Sequence, residues 1–256
     1  MSKEEQPMCS DPHALPLHSC LSGISAVLGG YGSGKTEVAI ALARAYRRAV
    51  TEGQLAKDRV VLADLDVVNP YFRSREAAQA LAREHIEVHS SMPGFENADL
   101  PSFSPAIAAA LREPRACVVL DVGGDAVGAR ALGQFLPAMG PRMAETSFLW
   151  ALNPYRPYAR SRAQLEELYG GLTEATRQPL TGIVANPNLG PATDQDTLRE
   201  GLAAVLSLAR EFSLPVLCLA VDVSLEERLP AATELAKAAG LPLLPLKRLM
   251  RKPWEG

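Results

Sequence analysis

The sequence has few cysteines, four in 256 residues, and none stands in a C-x-x-C pair. Cys9, Cys20, Cys117 and Cys218 are widely spaced, and the last two lie in apolar runs where a thiol behaves as a small hydrophobe. A disulfide framework is not indicated, and a reducing, cytoplasmic setting is expected. Cys9, His13, His18 and Cys20 lack the tight paired spacing of zinc ligands. There is no apolar run of eighteen residues, and the first residues carry Glu4, Glu5 and Asp11 rather than a basic then hydrophobic stretch. Neither a membrane span nor a secretion signal is expected. A long block of one charge is missing too: 26 basic residues face 29 acidic ones, for a net charge of -3. No direct nucleic-acid partner is expected on that balance.

What is there is an alternation. Residues 1–20 are polar and broken by Pro7, Pro12 and Pro16, and read as a poorly ordered lead-in. From 21 to 256 the chain reads as one domain in which short apolar runs alternate with longer amphipathic ones, the pattern of βαβ units around a parallel sheet. Strands are expected at 24–28, 60–64, 86–88, 117–122, 147–152, 182–185 and 216–221. Helices are expected near 36–50, 74–84, 105–112, 127–137, 160–169, 197–212 and 224–239. In the first helix Val38, Leu42, Ala45 and Ala49 form an inward stripe, with Arg44, Arg47 and Arg48 on the wet side. The fold class is therefore α/β, a single doubly wound, mostly parallel sheet with helices on both faces. In such sheets ligands bind beyond the carboxyl ends of the strands, so the residues just after each strand are the ones to question.

Directly after the first strand comes Gly29-Gly30-Tyr31-Gly32-Ser33-Gly34-Lys35-Thr36-Glu37, which fits G-x-x-x-x-G-K-[ST] and runs into a helix. Glycines let backbone N–H groups curl around phosphate oxygens, and the helix start adds its positive end to the same place. Lys35 is expected to reach the β and γ phosphates, and the Thr36 hydroxyl to ligate Mg²⁺. A metal on a triphosphate needs an acidic partner at the end of a neighbouring buried strand. Asp121, at the end of Val118-Val119-Leu120-Asp121, supplies it, and the following Gly123-Gly124 allows backbone to approach a γ-phosphate. The second strand ends Ala63-Asp64-Leu65-Asp66, where a period of two puts both carboxylates on one side. One is expected to hold the attacking water and the other to sit behind it, unless one caps the helix opening near Ser74.

The GGYGSGKT loop, ADLDVVNPYFRSRE and LDVGGDAVGARALG together resemble the ParA/MinD/CobQ-CobB group of P-loop nucleotide-binding proteins, over roughly residues 22–254. Within that group the likeness is to bacterial members bearing DLDxVNPYFRSRE and DVGGD. The resemblance implies ATP and Mg²⁺ as ligands, Asp66 as the carboxylate that positions the hydrolytic water and joins Thr36 and Asp121 around the metal, and Gly124 as the glycine that meets the γ-phosphate. It also implies Asn186 as the base-contacting residue, although Asn186-Pro187-Asn188 reads equally as a turn. No N-K-x-D stands there, which favours adenine over guanine. Many members carry a second lysine that reaches across an ATP-sandwich homodimer; here that position is Gly30, and Arg73 and Arg75 are the nearby candidates for the charge.

The last residues, 246–254, mix four cations with apolar side chains, but the segment is short and holds Pro253, so a packed loop is expected rather than membrane contact. The reading is an ATP-binding protein, a slow Mg-dependent ATPase that acts as a switch for an unidentified protein partner, with Tyr71 and Phe72 as candidate partner-facing groups. Two rival readings stay open: a small-molecule kinase or ligase with an acceptor pocket formed from the Ser91–Ser104 stretch, and a non-hydrolysing nucleotide-dependent assembly factor.

Overall fold

Strand β1 (Ile24–Leu28) is Ile-Ser-Ala-Val-Leu, and all five residues are buried. That composition suits a strand covered on both faces, and β1 lies inside an eight-stranded sheet ordered β3-β2-β4-β1-β5-β6-β7-β8. The other strands are β2 (Arg59–Asp64), β3 (Glu87–His89), β4 (Ala116–Asp121), β5 (Thr146–Leu152), β6 (Gly182–Ala185), β7 (Val216–Asp222) and β8 (Leu243–Leu246). Every pairing is parallel, so all eight strands bring their carboxyl ends to one edge. The computed structural model describes Leu17 and residues 23–66, 75–90, 104–124, 126–223 and 229–247.

The helices are α1 (Lys35–Thr51), α2 (Arg75–Arg83), α3 (Pro105–Arg112), α4 (Ala126–Gly133), α5 (Leu136–Met139), α6 (Arg162–Thr176), α7 (Gln195–Glu211) and α8 (Leu229–Ala238). Alternate strand residues serve opposite faces. Val27, Leu62, Val119 and Leu149 pack with Val38, Leu42 and Tyr46 of α1. Leu28, Leu120, Trp150 and Leu152 pack with Ile107, Leu132, Leu165 and Leu202 of α3, α4, α6 and α7. The single doubly wound sheet with helices on both faces is as expected.

Several details differ from the expectation. Helix α1 is buried well beyond one stripe, with Ala39, Ile40, Ala41 and Ala43 also buried. Arg44 is tied down rather than wet, pairing with Glu84 at 2.7 Å and donating to the Lys247 carbonyl at 2.7 Å. The helix expected over 127–137 is broken into α4 and α5, because Gly133 ends the first and Pro137 stands at the opening of the second. Strand β8 was not anticipated, since Pro245 interrupts its four residues; on an edge strand the missing N–H is tolerated, and Pro245 pairs only with Val221.

Candidate functional site

With β1 between β4 and β5, the loop that leaves it lies between the loops of its two neighbours. That loop turns on Ser33 N–H, which donates to the Gly30 carbonyl at 3.1 Å, and Gly34 then opens α1 in the left-handed region at φ 86. Gly34 has no side chain to accept a hydrogen bond from the amides at the start of α1. Lys35 is 8% exposed, and its ammonium donates to the Gly30 carbonyl at 3.2 Å, curling back over the loop. A glycine-rich turn, a helix start and a buried ammonium thus meet at one loop, the chemistry of an anion cradle.

Asp121 closes β4 and lies in register with Val27 of β1 and Asp64 of β2. Its side chain is buried, and neither carboxyl oxygen makes a hydrogen bond of regular geometry. Burial pushes its pKa up to about 7, while the Thr36 hydroxyl and the Lys35 ammonium pull down and the Asp66 and Glu37 carboxylates push up. Those influences place Thr36, Lys35, Glu37, Asp66 and Asp121 in one neighbourhood. Asp64 is also buried, and its Oδ1 accepts the Asp66 N–H at 3.0 Å. Asp64 therefore shapes the turn that carries Asp66 past the end of β2. Helix capping near Ser74 lies outside the described residues. Among the described residues no three or more His, Cys, Asp or Glu side chains are grouped to hold a metal by themselves. The oxygens of Thr36 and Asp121 do fit a hard divalent cation such as Mg²⁺ that takes its other ligands from phosphate and water.

Gly124 is pressed against the cradle. A Cβ there would lie 2.7 Å from Lys35 Nζ, 3.1 Å from the Gly29 carbonyl and 3.2 Å from the Tyr31 N–H, so only glycine lets the loop after β4 come so close. Asn186 follows β6 and is buried; its Nδ2 donates to the Ser33 carbonyl at 2.7 Å, while its Oδ1 is buried without a partner. A Cβ on Gly34 would collide with that Nδ2. Asn188 serves the turn instead, its Oδ1 accepting the Gly190 N–H at 2.5 Å. Tyr31 stands out from the loop, 80% exposed.

Tyr71, Phe72 and Arg73 lie outside the described residues, as do the Arg75 side chain, residues 91–103, the lead-in histidines and cysteines, and 248–254. The loop after β5 was not singled out, yet it packs on the cradle: a Cβ on Gly30 would meet the Tyr158 ring at 2.7 Å, while one on Gly29 would meet the Ala151 carbonyl of β5 itself at 2.6 Å. The signal was available, because Asn153 directly follows a strand on the ligand edge.

No family model and no curated protein matches this chain. Solved structures do. The cell division protein FtsY of Thermotoga maritima, 22% identical, matches over 77% of this chain and 61% of its own, with a TM-score of 0.50. The fold is that of the P-loop NTPases. The signal recognition particle receptor FtsY of Elizabethkingia anophelis in complex with GDP is 22% identical over 77% of this chain and 57% of its own, with a TM-score of 0.48. Signal recognition particle 54 kDa protein of Aeropyrum pernix K1, also in complex with GDP, is 18% identical over 77% of this chain and 40% of its own, at 0.45. This chain spans less than two thirds of the length of each of these proteins. No helix among the described residues is long and apolar enough to cross a membrane.

Proposed function

We propose that this chain is a slow Mg-dependent ATPase that works as a nucleotide switch in the cytoplasm, of the ParA/MinD type, with hydrolysis as the timer for an unidentified protein partner. One observation carries the reading: a buried carboxyl group, Asp121, whose two oxygens make no regular hydrogen bond, sits in the same neighbourhood as the buried ammonium of Lys35. Burying both charges is costly unless something polar completes them. A polyphosphate with its divalent cation does so, since phosphate oxygens face the ammonium and the loop amides while the cation faces the carboxylate.

Lys35 and the start of α1 bind the β and γ phosphates in this account. Thr36, Asp121 and Asp66 hold Mg²⁺, which supplies charge neutralisation to the phosphates. Asp66, set past the end of β2, orients the attacking water, and Gly124 follows the γ-phosphate as it arrives and leaves. Asn186 reads the base. Its unpartnered Oδ1 is an acceptor, which can take a hydrogen bond from the amino group of a base. GDP is bound by two of the proteins of similar fold. ATP is preferred here for the missing N-K-x-D.

The test is magnesium-dependent phosphate release from ATP by the wild type, Lys35→Ala and Asp66→Ala, with GTP alongside. Asp66→Ala is expected to slow release at least tenfold while leaving ATP bound. Equal release by all three proteins would remove the hydrolase reading.

A further inference from the structure

Asn153-Pro154-Tyr155-Arg156-Pro157-Tyr158 leaves β5 as a tight bend. The Asn153 Oδ1 accepts the Tyr155 N–H at 3.1 Å, the Asn153 carbonyl accepts the Arg156 N–H at 3.3 Å, and the Tyr155 hydroxyl is anchored on the Thr197 carbonyl at 2.7 Å. Two prolines and these bonds leave the bend little freedom. It is held against the anion cradle at two points. A Cβ on Gly30 would lie 2.7 Å from Cδ1 and Cε1 of the Tyr158 ring, and one on Gly32 would lie 3.4 Å from Nε and 3.5 Å from Cζ of Arg156. The guanidinium of Arg156 thus lies beside the phosphate loop, where a side chain at Gly32 would touch it.

Arg156 is half-buried, and its Nε is buried with no hydrogen-bond partner. A buried N–H of an always-charged group that meets neither water nor an acceptor is costly. Its neighbours make the cost greater, because Lys35 and the start of α1 give the same loop a positive potential already. The position expected to carry an intermolecular lysine is Gly30, and the Tyr158 ring fills the space a side chain there would need. A second cation reaches this loop from within the chain.

We propose that Arg156 is a polyphosphate-binding residue, supplying in cis the additional positive charge at the nucleotide site, with Tyr158 as the positioning residue that holds its bend on the loop. The proposal rests on the P-loop reading of the site.

The experiment is equilibrium binding of ATP, ADP and AMP with Mg²⁺ to the wild type, Arg156→Gln, Arg156→Lys and Lys35→Ala, with a thermal melt of each apo protein. Arg156→Gln is expected to weaken ATP about tenfold and AMP less than twofold, and Arg156→Lys to recover most of the loss, as a charge-assisted contact to phosphate requires. ATP affinity unchanged in Arg156→Gln, with Lys35→Ala impaired, overturns this inference and leaves the P-loop reading intact. Equal weakening of ATP and AMP, or a lowered apo melt in both Arg156 variants, assigns Arg156 to base contact or scaffold and also overturns it. Absence of saturable ATP binding by the wild type overturns the P-loop reading itself.

Discussion

Replacing Asp121 with asparagine removes a charge while keeping the shape, and its effect can be worked from the structure. Burial holds the Asp121 pKa near 7, against an ordinary value of 3.8. A carboxyl raised on folding binds its proton more tightly folded than unfolded, so stability from this group is present at low pH and lost as pH rises from about 4 to about 7. Three pH units at 1.36 kcal/mol each give about 4 kcal/mol, the order of magnitude by which ionised Asp121 weighs on the apo fold. Apo Asp121→Asn should then equal the wild type at pH 4 and exceed it at pH 8 by up to about 4 kcal/mol in urea unfolding. Binding of Mg-ATP requires the ionised form, so the wild type at pH 6 should release roughly 0.9 proton from Asp121, and at pH 8 only about 0.1. Titration calorimetry in two buffers of different ionisation enthalpy counts those protons. The difference between wild type and Asp121→Asn separates them from the titration of the phosphate. Identical proton counts for the two proteins at pH 6, or an apo variant less stable than wild type at pH 8, would refute the reasoning.

Gly34→Ala places a Cβ at φ 86 and against Asn186 Nδ2, so urea unfolding should show a loss of about 2 kcal/mol and fluorescent-nucleotide titration a loss of binding. Asn186→Ala removes the 2.7 Å bond to the Ser33 carbonyl; the fold should lose about 1 kcal/mol, and the preference for ATP over GTP should shrink in paired titrations. Cys117 is buried with its pKa pushed up to about 11 by burial, so mass spectrometry should find it alkylated only after unfolding.

How much of this was legible depended on what each residue's neighbours in sequence could say. β1 and β6 are found where expected, at Ile24–Leu28 and Gly182–Ala185, because each is a short, mostly apolar run that stops at a glycine or asparagine. β8 escaped notice because a proline stands inside it, and the α4–α5 break because the apolar period continues through Gly133 and Pro137. The phosphate loop and Asp121 were legible since each is a local pattern at the end of a buried strand. Arg156 and Tyr158 were not, for they reach the loop only because β5 is the neighbour of β1, and strand order is a tertiary fact. Asn186 was placed at the site by resemblance; the structure adds the bond to Ser33 that a single sequence does not display.

The central claim is that the loop from Gly29 to Thr36 holds a triphosphate, and calorimetric titration of Mg-ATP into the wild type and Lys35→Ala tests it most directly. The account predicts saturable one-to-one binding by the wild type, weakened roughly a hundredfold when the buried ammonium is removed. Failure of the wild type to bind, or equal affinity in the two proteins, would contradict it.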